Sequence, residues 1–322
     1  MKKRLLLTLQ TLVSIGLLVW IFWKPEFRAQ AWQVMSQAQP GWLMAGFLVA
    51  GFGNLLGVVR WNVFLHMQGI RLPAWDVFRI SFVGLFFNNF LVGAVGGDVV
   101  KVVWLAARGH RKSPALLSVL MDRMSGLPPL IVASLVFILW RLQWLQQSPV
   151  VAGVTHFIFV YLAVVTALMV LSFFLASTRL IHRLPERFPG RAQIHEFNAA
   201  YLEFIKSWPQ TLWASFLSLI ILLGHFLTFY CSARAFSLQI PLMDFFAIMP
   251  AVDIISAMPV SLGGFGVREQ LFATLLGDLA GVPAAQAVSI SLGGALLAMV
   301  WGLFGLALLP SYRRVVHREV RP

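Results

Sequence analysis

Six stretches of this 322-residue chain are apolar over the length that a bilayer core demands: residues 5–23, 42–59, 116–140, 155–177, 212–231 and 284–309. A helix rises ~1.5 Å per residue, so roughly 17–25 apolar residues cross a hydrocarbon core of ~30 Å. Water is absent there, and a continuous helix satisfies its own backbone N–H and C=O groups. Apolar residues make up 59% of the sequence and charged ones 11%, more apolar surface than a soluble core of this size can hide. The expected fold class is an all-α integral membrane protein, a polytopic helical bundle.

Two further apolar stretches are interrupted. Residues 80–95 carry Asn88 and Asn89 and break at Gly93, Gly96 and Gly97. Residues 245–262 carry Asp253 and are broken by Pro250, Pro259, Gly263 and Gly264. Basic residues in short loops mark the cytoplasmic side. Lys2, Lys3 and Arg4 put the start inside, and Arg60, Arg71 and Arg79 put the second loop inside. If residues 80–95 crossed, Arg108, Arg111 and Lys112 would fall outside. The conflict disappears if residues 80–107 form a re-entrant hairpin with Gly96-Gly97 at its turn. The same count makes residues 242–282 a hairpin entered from the opposite face, and puts Arg313, Arg314, Arg318 and Arg321 of the tail inside. The alternative is that one or both stretches cross fully, giving eight spans.

The sequence then reads as one membrane domain, residues 1–322, in two halves, 1–150 and 151–322, related by an inverted-topology repeat. Leu72-Pro73-x-x-Asp76-x-Phe78-x-Ile80 matches Ile240-Pro241-x-x-Asp244-x-Phe246-x-Ile248, and Pro114-Ala115 matches Pro283-Ala284. The basic segment 178–208 fits an amphipathic helix on the cytoplasmic leaflet. A cleaved signal peptide ending near Ala29-Gln30-Ala31 is the competing reading of the N-terminus. The 19-residue run 5–23 exceeds the ~7–15 residues of such a segment.

Each interrupted stretch contains Gly-Gly followed by a cation: Gly96, Gly97 and Lys101 in "VGGDVVKV", and Gly263, Gly264 and Arg268 in "LGGFGVRE". A helix that begins at such a turn offers N–H groups and the positive end of its dipole, and with a cation this suits phosphate. The other reading is that the glycines let helices pack closely while the cations reach an interface. Asp98 is placed to pair with Lys101 on one helix face. Glu269 adjoins Arg268, and Asp122-Arg123 lies about two turns into a span. Ionisable residues at that depth usually face a bundle interior or cavity. Asn54, Asn88, Asn89 and His225 either line a polar path or join helices, and Asp253, with no cation near it in sequence, either lies close to an arginine of the other half or is a protonatable relay.

No nucleophile, metal or nucleotide motif occurs, so no catalytic residue, metal or cofactor is expected. Cys231, the only cysteine, excludes an internal disulfide. The net charge of +13 comes mainly from basic residues clustered in the loops between apolar runs, where they meet anionic lipid, not nucleic acid.

The stretches "FFNNFLVGAVGGDVVKV", "SVLMDRMSGL" and "PVSLGGFGVRE", in this order, resemble the lysylphosphatidylglycerol synthase transmembrane-region family of flippase-like proteins. The resemblance covers nearly the whole chain. It implies a multi-pass protein of the bacterial inner membrane that moves lipid between leaflets, and the charge count above puts both termini on the cytoplasmic side. The positions it implicates are Asn88, Asn89, Gly96, Gly97, Asp98, Lys101, Asp122, Arg123, Gly126, Pro259, Gly263, Gly264, Gly266, Arg268 and Glu269. Lys101 stands where the family often has Arg, and Val92 where it often has Pro. The soluble synthase domain of larger relatives is not in this sequence, so aminoacyl transfer is not expected.

The function expected is a flippase or transporter for a phospholipid or an isoprenoid- or glycolipid with a phosphate-bearing or otherwise anionic headgroup. Two alternatives stand beside it. One is a non-transporting subunit partnered with a lipid-biosynthesis enzyme. The other is a membrane-embedded transferase with Asp98, Asp122 and Asp253 as bases or metal ligands.

Overall fold

The computed structural model describes residues 16, 19–21, 23, 25–90, 96–177, 191, 202, 206–258 and 260–319. Most of the first expected span and most of the basic segment 178–208 lie outside them. The described residues form helices and connecting turns, with no strand among them.

In chain order the helices are α1 (Pro25–Ser36), α2 (Pro40–Met67), α3 (Ala74–Phe90), α4 (Gly96–Ala107), α5 (Lys112–Met124), α6 (Leu127–Trp140), α7 (Leu142–Leu145), α8 (Pro149–Ser177), α9 (Trp208–Ala235), α10 (Leu242–Ser256), α11 (Val267–Ala280) and α12 (Ala284–Glu319). Proline opens α1, α2 and α8, where its missing N–H costs nothing and its fixed φ suits the first turn. Pro73 and Pro241 stand just before α3 and α10, and their carbonyls accept from the N–H groups of Val77 and Phe245.

The long helices are apolar on the outside. On α2, Met44, Leu48, Phe52, Leu55 and Val59 form one exposed stripe at helical spacing. Val160, Val164, Leu168 and Leu171 do the same on α8, and Leu296, Val300 and Leu303 on α12. Continuous apolar stripes of this length are not left bare to water by a soluble monomer. The interior holds the polar residues instead: Ser118, Ser134, Ser218, Thr228, Ser232, Glu269, Ser289 and Ser291 are all buried. Several of these hydroxyls donate to carbonyls of their own helix, as Ser118, Ser218 and Ser289 do, so they enter an apolar setting without orphaned hydrogens.

Among the described residues, five helical segments are long and apolar enough to cross a membrane: Pro40–Met67, Lys112–Trp140, Pro149–Ser172, Trp208–Ala235 and Ala284–Pro310. They take up the expected spans other than 5–23, with altered ends. The second runs on past Val59 to Met67, so Arg60 lies inside α2 and not in a loop. Arg60 interrupts the apolar run, yet buried Trp61, Phe64 and Leu65 continue its helical period.

Between the long helices lie two packed pairs, α3 with α4 and α10 with α11. Their helices have 17, 12, 15 and 14 residues. At ~1.5 Å per residue these are about 25, 18, 22 and 21 Å long, each short of a ~30 Å core.

The chain forms two compact units, and each draws on both sequence halves. One comprises residues 53–131, 160–222 and 301–322, and so includes α3, α4 and α5. Its core joins Trp61, Leu65, Val77, Ile80, Trp104 and Leu105, with Phe64, Leu117 and Met121 in a second cluster. The other comprises residues 1–52, 132–159 and 223–300, including α10 and α11. Aromatic rings dominate its interior: Phe226 on Phe246, Phe229 on Phe272, and Phe245 on Phe272 at centroid distances of 5.5, 5.8 and 5.9 Å.

Candidate functional site

In the α3–α4 unit, Lys101 projects from the second turn of α4. Its Nζ lies 3.6 Å from Asp122 Oδ2 on α5 and 4.3 Å from the centre of the Trp61 ring. The other Asp122 oxygen accepts a 2.8 Å hydrogen bond from Arg60 Nε. Arg60 also donates from Nη1 to Ser218 on α9, whose hydroxyl meets Ser125 at 3.2 Å. One buried carboxylate is therefore shared by two cations from two other helices. A second pair stands beside it: Arg123 donates to both oxygens of Asp98, at 2.8 and 3.2 Å. The expected Asp98–Lys101 pairing is corrected. A guanidinium presents two parallel donors that match a carboxylate, which an ammonium cannot do, and Arg123 takes Asp98 while Lys101 turns to Asp122.

The Gly96-Gly97 placement is also corrected. These residues are the first two of α4, not the turn itself. The Gly97 N–H donates to Asn88 Oδ1 at 2.7 Å, so this amide of the α4 N-terminus is used within the hairpin. Gly97 and Gly84 face each other so closely that a Cβ on Gly97 would enter the Gly84 carbonyl and the Asn88 side chain. Here the glycine serves close helix packing. Asn89 follows Asn88 on α3 and is half-buried.

In the α10–α11 unit, Gly263, Gly264 and Gly266 have φ of 61°, 77° and 84°. This backbone is costly for residues with a β-carbon, so the second Gly-Gly motif is a true turn where the first is not. Behind it Glu269 is fully buried. One of its oxygens accepts from the Gly266 N–H; the other accepts from Ser291 Oγ at 2.7 Å and from Arg268 Nη2 at 3.3 Å. Arg268 Nε donates to Ser291 at 3.1 Å, and the guanidinium lies 5.1 and 5.7 Å from the rings of Phe265 and Phe229. Pro259 lies outside the described residues.

Asp253, without a cation near it in sequence, meets His225 of α9, with Nε2 3.1 Å from Oδ1. Asp76 and Asp244, matched in the sequence repeat, are both buried first-turn residues, of α3 and α10 respectively. Asp76 lies 3.7 and 3.5 Å from Arg79 and Arg108. Asp244 takes Arg141 at 2.6 and 2.9 Å. Among the described residues, no three His, Cys, Asp or Glu side chains converge on a metal-sized site.

A profile of the lysylphosphatidylglycerol synthase transmembrane region matches residues 7–307. The chain belongs to this family. The UPF0104 membrane protein PH1989 of Pyrococcus horikoshii is similar to it, at 26% identity over 91% of each chain.

Within this family member, the motif residues fall into two sets. Asn88, Gly96, Gly97, Asp98, Lys101, Asp122, Arg123 and Gly126 belong to one unit, and Gly263, Gly264, Gly266, Arg268 and Glu269 to the other. Each cation has partners inside its own unit. The residues that sequence reasoning missed are Arg60, Trp61, Ser218, Phe229 and Ser291. Arg60 carried a usable signal, as an arginine between Val59 and Trp61 inside a helical apolar period. Ser218 and Ser291 carried none, since serines in apolar helices mostly bond their own backbone.

Proposed function

We propose that this chain moves a lipid with a phosphate-bearing or otherwise anionic headgroup between the leaflets of a bacterial inner membrane. The observation that supports this is Asp122, one carboxylate shared by Arg60 and Lys101. Those three groups sum to one positive charge. A charge in a span-length helix is expensive and usually functional, and an anionic headgroup supplies the missing counter-charge. Lys101 also has the mobile, single-point ammonium that exchanges partners more readily than a forked guanidinium.

The short paired helices favour two re-entrant hairpins, one in each half, as alternating-access transporters use. The distribution of Lys and Arg favours opposite entry faces, with both termini cytoplasmic. The reading needs no covalent step. The three carboxylates considered as bases, Asp98, Asp122 and Asp253, are each engaged by a basic side chain.

The test is reconstitution into vesicles carrying fluorescent phosphatidylglycerol in both leaflets, with dithionite bleaching the outer one. Wild-type protein is expected to expose the inner pool to bleaching, and Lys101→Met to slow exposure at least tenfold. Wild-type vesicles that bleach no further than protein-free ones reject the proposal.

A further inference from the structure

The His225–Asp253 pair takes no part in either cation cluster. His225 lies 17 residues from the start of α9 at Trp208 and 10 from its end at Ala235, about 5 Å from the midpoint of a span-length helix. Asp253 is carried by α10, the first helix of the second hairpin. Both side chains keep partial exposure, 39% for the imidazole and 24% for the carboxylate, unlike the fully buried Glu269 nearby. A His–Asp pair halfway along a span, partly exposed and, among the described residues, with no Lys or Arg in direct ion-pair contact, is an unusual expense unless its charge changes. Imidazole is the side chain whose ordinary titration range includes neutral pH.

We propose that His225 and Asp253 form a proton-binding site that links proton movement to passage of the anionic headgroup; this deepens the lipid-translocation reading and rests on it. With a neutral imidazole the pair carries one negative charge. Taking one proton from water onto the imidazole makes an imidazolium–carboxylate pair of zero net charge. Release returns the same proton, and no other bond changes.

The link to the headgroup runs through Arg268. Phe229 touches both groups, with its ring centre 5.1 Å from that of His225 and 5.7 Å from the Arg268 guanidinium. Arg268 also acts electrostatically on the imidazole. A negative His225–Asp253 pair competes for the field of Arg268, already shared with Glu269. A neutral pair leaves that field to an incoming anion. Proton and anionic lipid therefore favour each other's binding, and the coupling is reciprocal.

The surroundings add few rival charges. From α10 the histidine faces Asp253, and from α11 it faces Arg268 with Glu269. Residues 40–52 of α2 and 284–310 of α12 contain no ionisable side chain. Arg141, just after the end of α6, is engaged by Asp244 in the first turn of α10.

Two measurements on the full-length protein test this. The first adds short-chain phosphatidylglycerol to detergent-solubilised protein in weakly buffered solution with a pH dye. Wild type is expected to take up protons on binding, and His225→Gln and Asp253→Asn are not. The second measures fluorescent phosphatidylglycerol movement in vesicles with and without a gradient of one pH unit. The gradient is expected to change the wild-type rate at least fivefold, the lower end of common coupling factors, and to leave the His225→Gln rate unmoved. Absence of proton uptake by wild type, or a full gradient response in both variants, overturns the proposal. Proton uptake without any lipid movement would keep the proton site and overturn the translocation reading instead.

Discussion

Lys101 and Asp122 stand 3.6 Å apart, and the carboxylate that meets Lys101 on one side holds Arg60 at 2.8 Å on the other. Removing the shared anion strands two cations at once. Asp122→Asn is therefore expected to cost more than Lys101→Met, which leaves the Arg60–Asp122 pair intact. Breaking a buried pair from one side typically costs about 3–5 kcal/mol. The check is thermal unfolding in detergent: Asp122→Asn should melt well below Lys101→Met. The reverse order would mean that Asp122 does not hold the cluster together.

The first hairpin depends on the absence of a side chain at one point. A β-carbon on Gly97 would enter the Gly84 carbonyl, whereas one on Gly84 would come to 3.2 Å of the Gly97 oxygen. Backbone cannot rotate away as a side chain can, and over-packing costs roughly 1–3 kcal/mol. Gly97→Ala should lower the melting temperature markedly and Gly84→Ala less. Equal melting temperatures for wild type and Gly97→Ala would remove the packing role.

The expected spans other than 5–23 were legible because they rest on a long-range average, apolar length. The Asp76 and Asp244 repeat was legible too, since proline fixes where α3 and α10 begin and the aspartate follows at the same offset. The charge partners were not. Asp98 and Lys101 have the spacing of a helix-face pair, but Arg123, 25 positions away, offers a better donor fork. Nothing local to a sequence ranks a near partner against a distant one. The two Gly-Gly motifs likewise look alike and act differently. Gly97 sits at a helix start and allows close approach, while Gly263 and Gly264 supply a left-handed turn. The residue type is the same because each need excludes a β-carbon.

That left-handed turn contrasts with the left-handed residue at the other end of α11. Gly264 has φ of 77°, and a β-carbon there would sit 3.0 Å from Ser256; Gly281, which ends α11 with φ of 62°, has open space around it. A left-handed residue with a β-carbon costs ~1–2 kcal/mol before any clash. Gly264→Ala carries that cost and the contact as well, so it should destabilise more than Gly281→Ala. Differential scanning fluorimetry of the two variants decides it, and a larger loss at Gly281 would contradict the geometry.

Glu269 presents the sharpest test of the second cluster. Its two oxygens receive the Gly266 N–H, the Ser291 hydroxyl and the Arg268 guanidinium, so the turn, α12 and the cation all depend on one buried carboxylate. Glu269→Gln keeps the shape but replaces one acceptor oxygen with an NH2 group, which then faces donors. It also leaves Arg268 without its carboxylate partner. The expected loss is about 3–5 kcal/mol, the range for a buried ion pair broken from one side. Ser291→Ala removes one acceptor of Arg268 and one donor to Glu269 but keeps the charge pair, and should cost roughly 1–2 kcal/mol. Adding Arg268→Gln to Glu269→Gln removes the stranded cation and should recover part of the loss. Melting temperatures of the two single variants and the double variant measure this, and a double variant less stable than Glu269→Gln alone would show that the guanidinium holds the site by more than its charge.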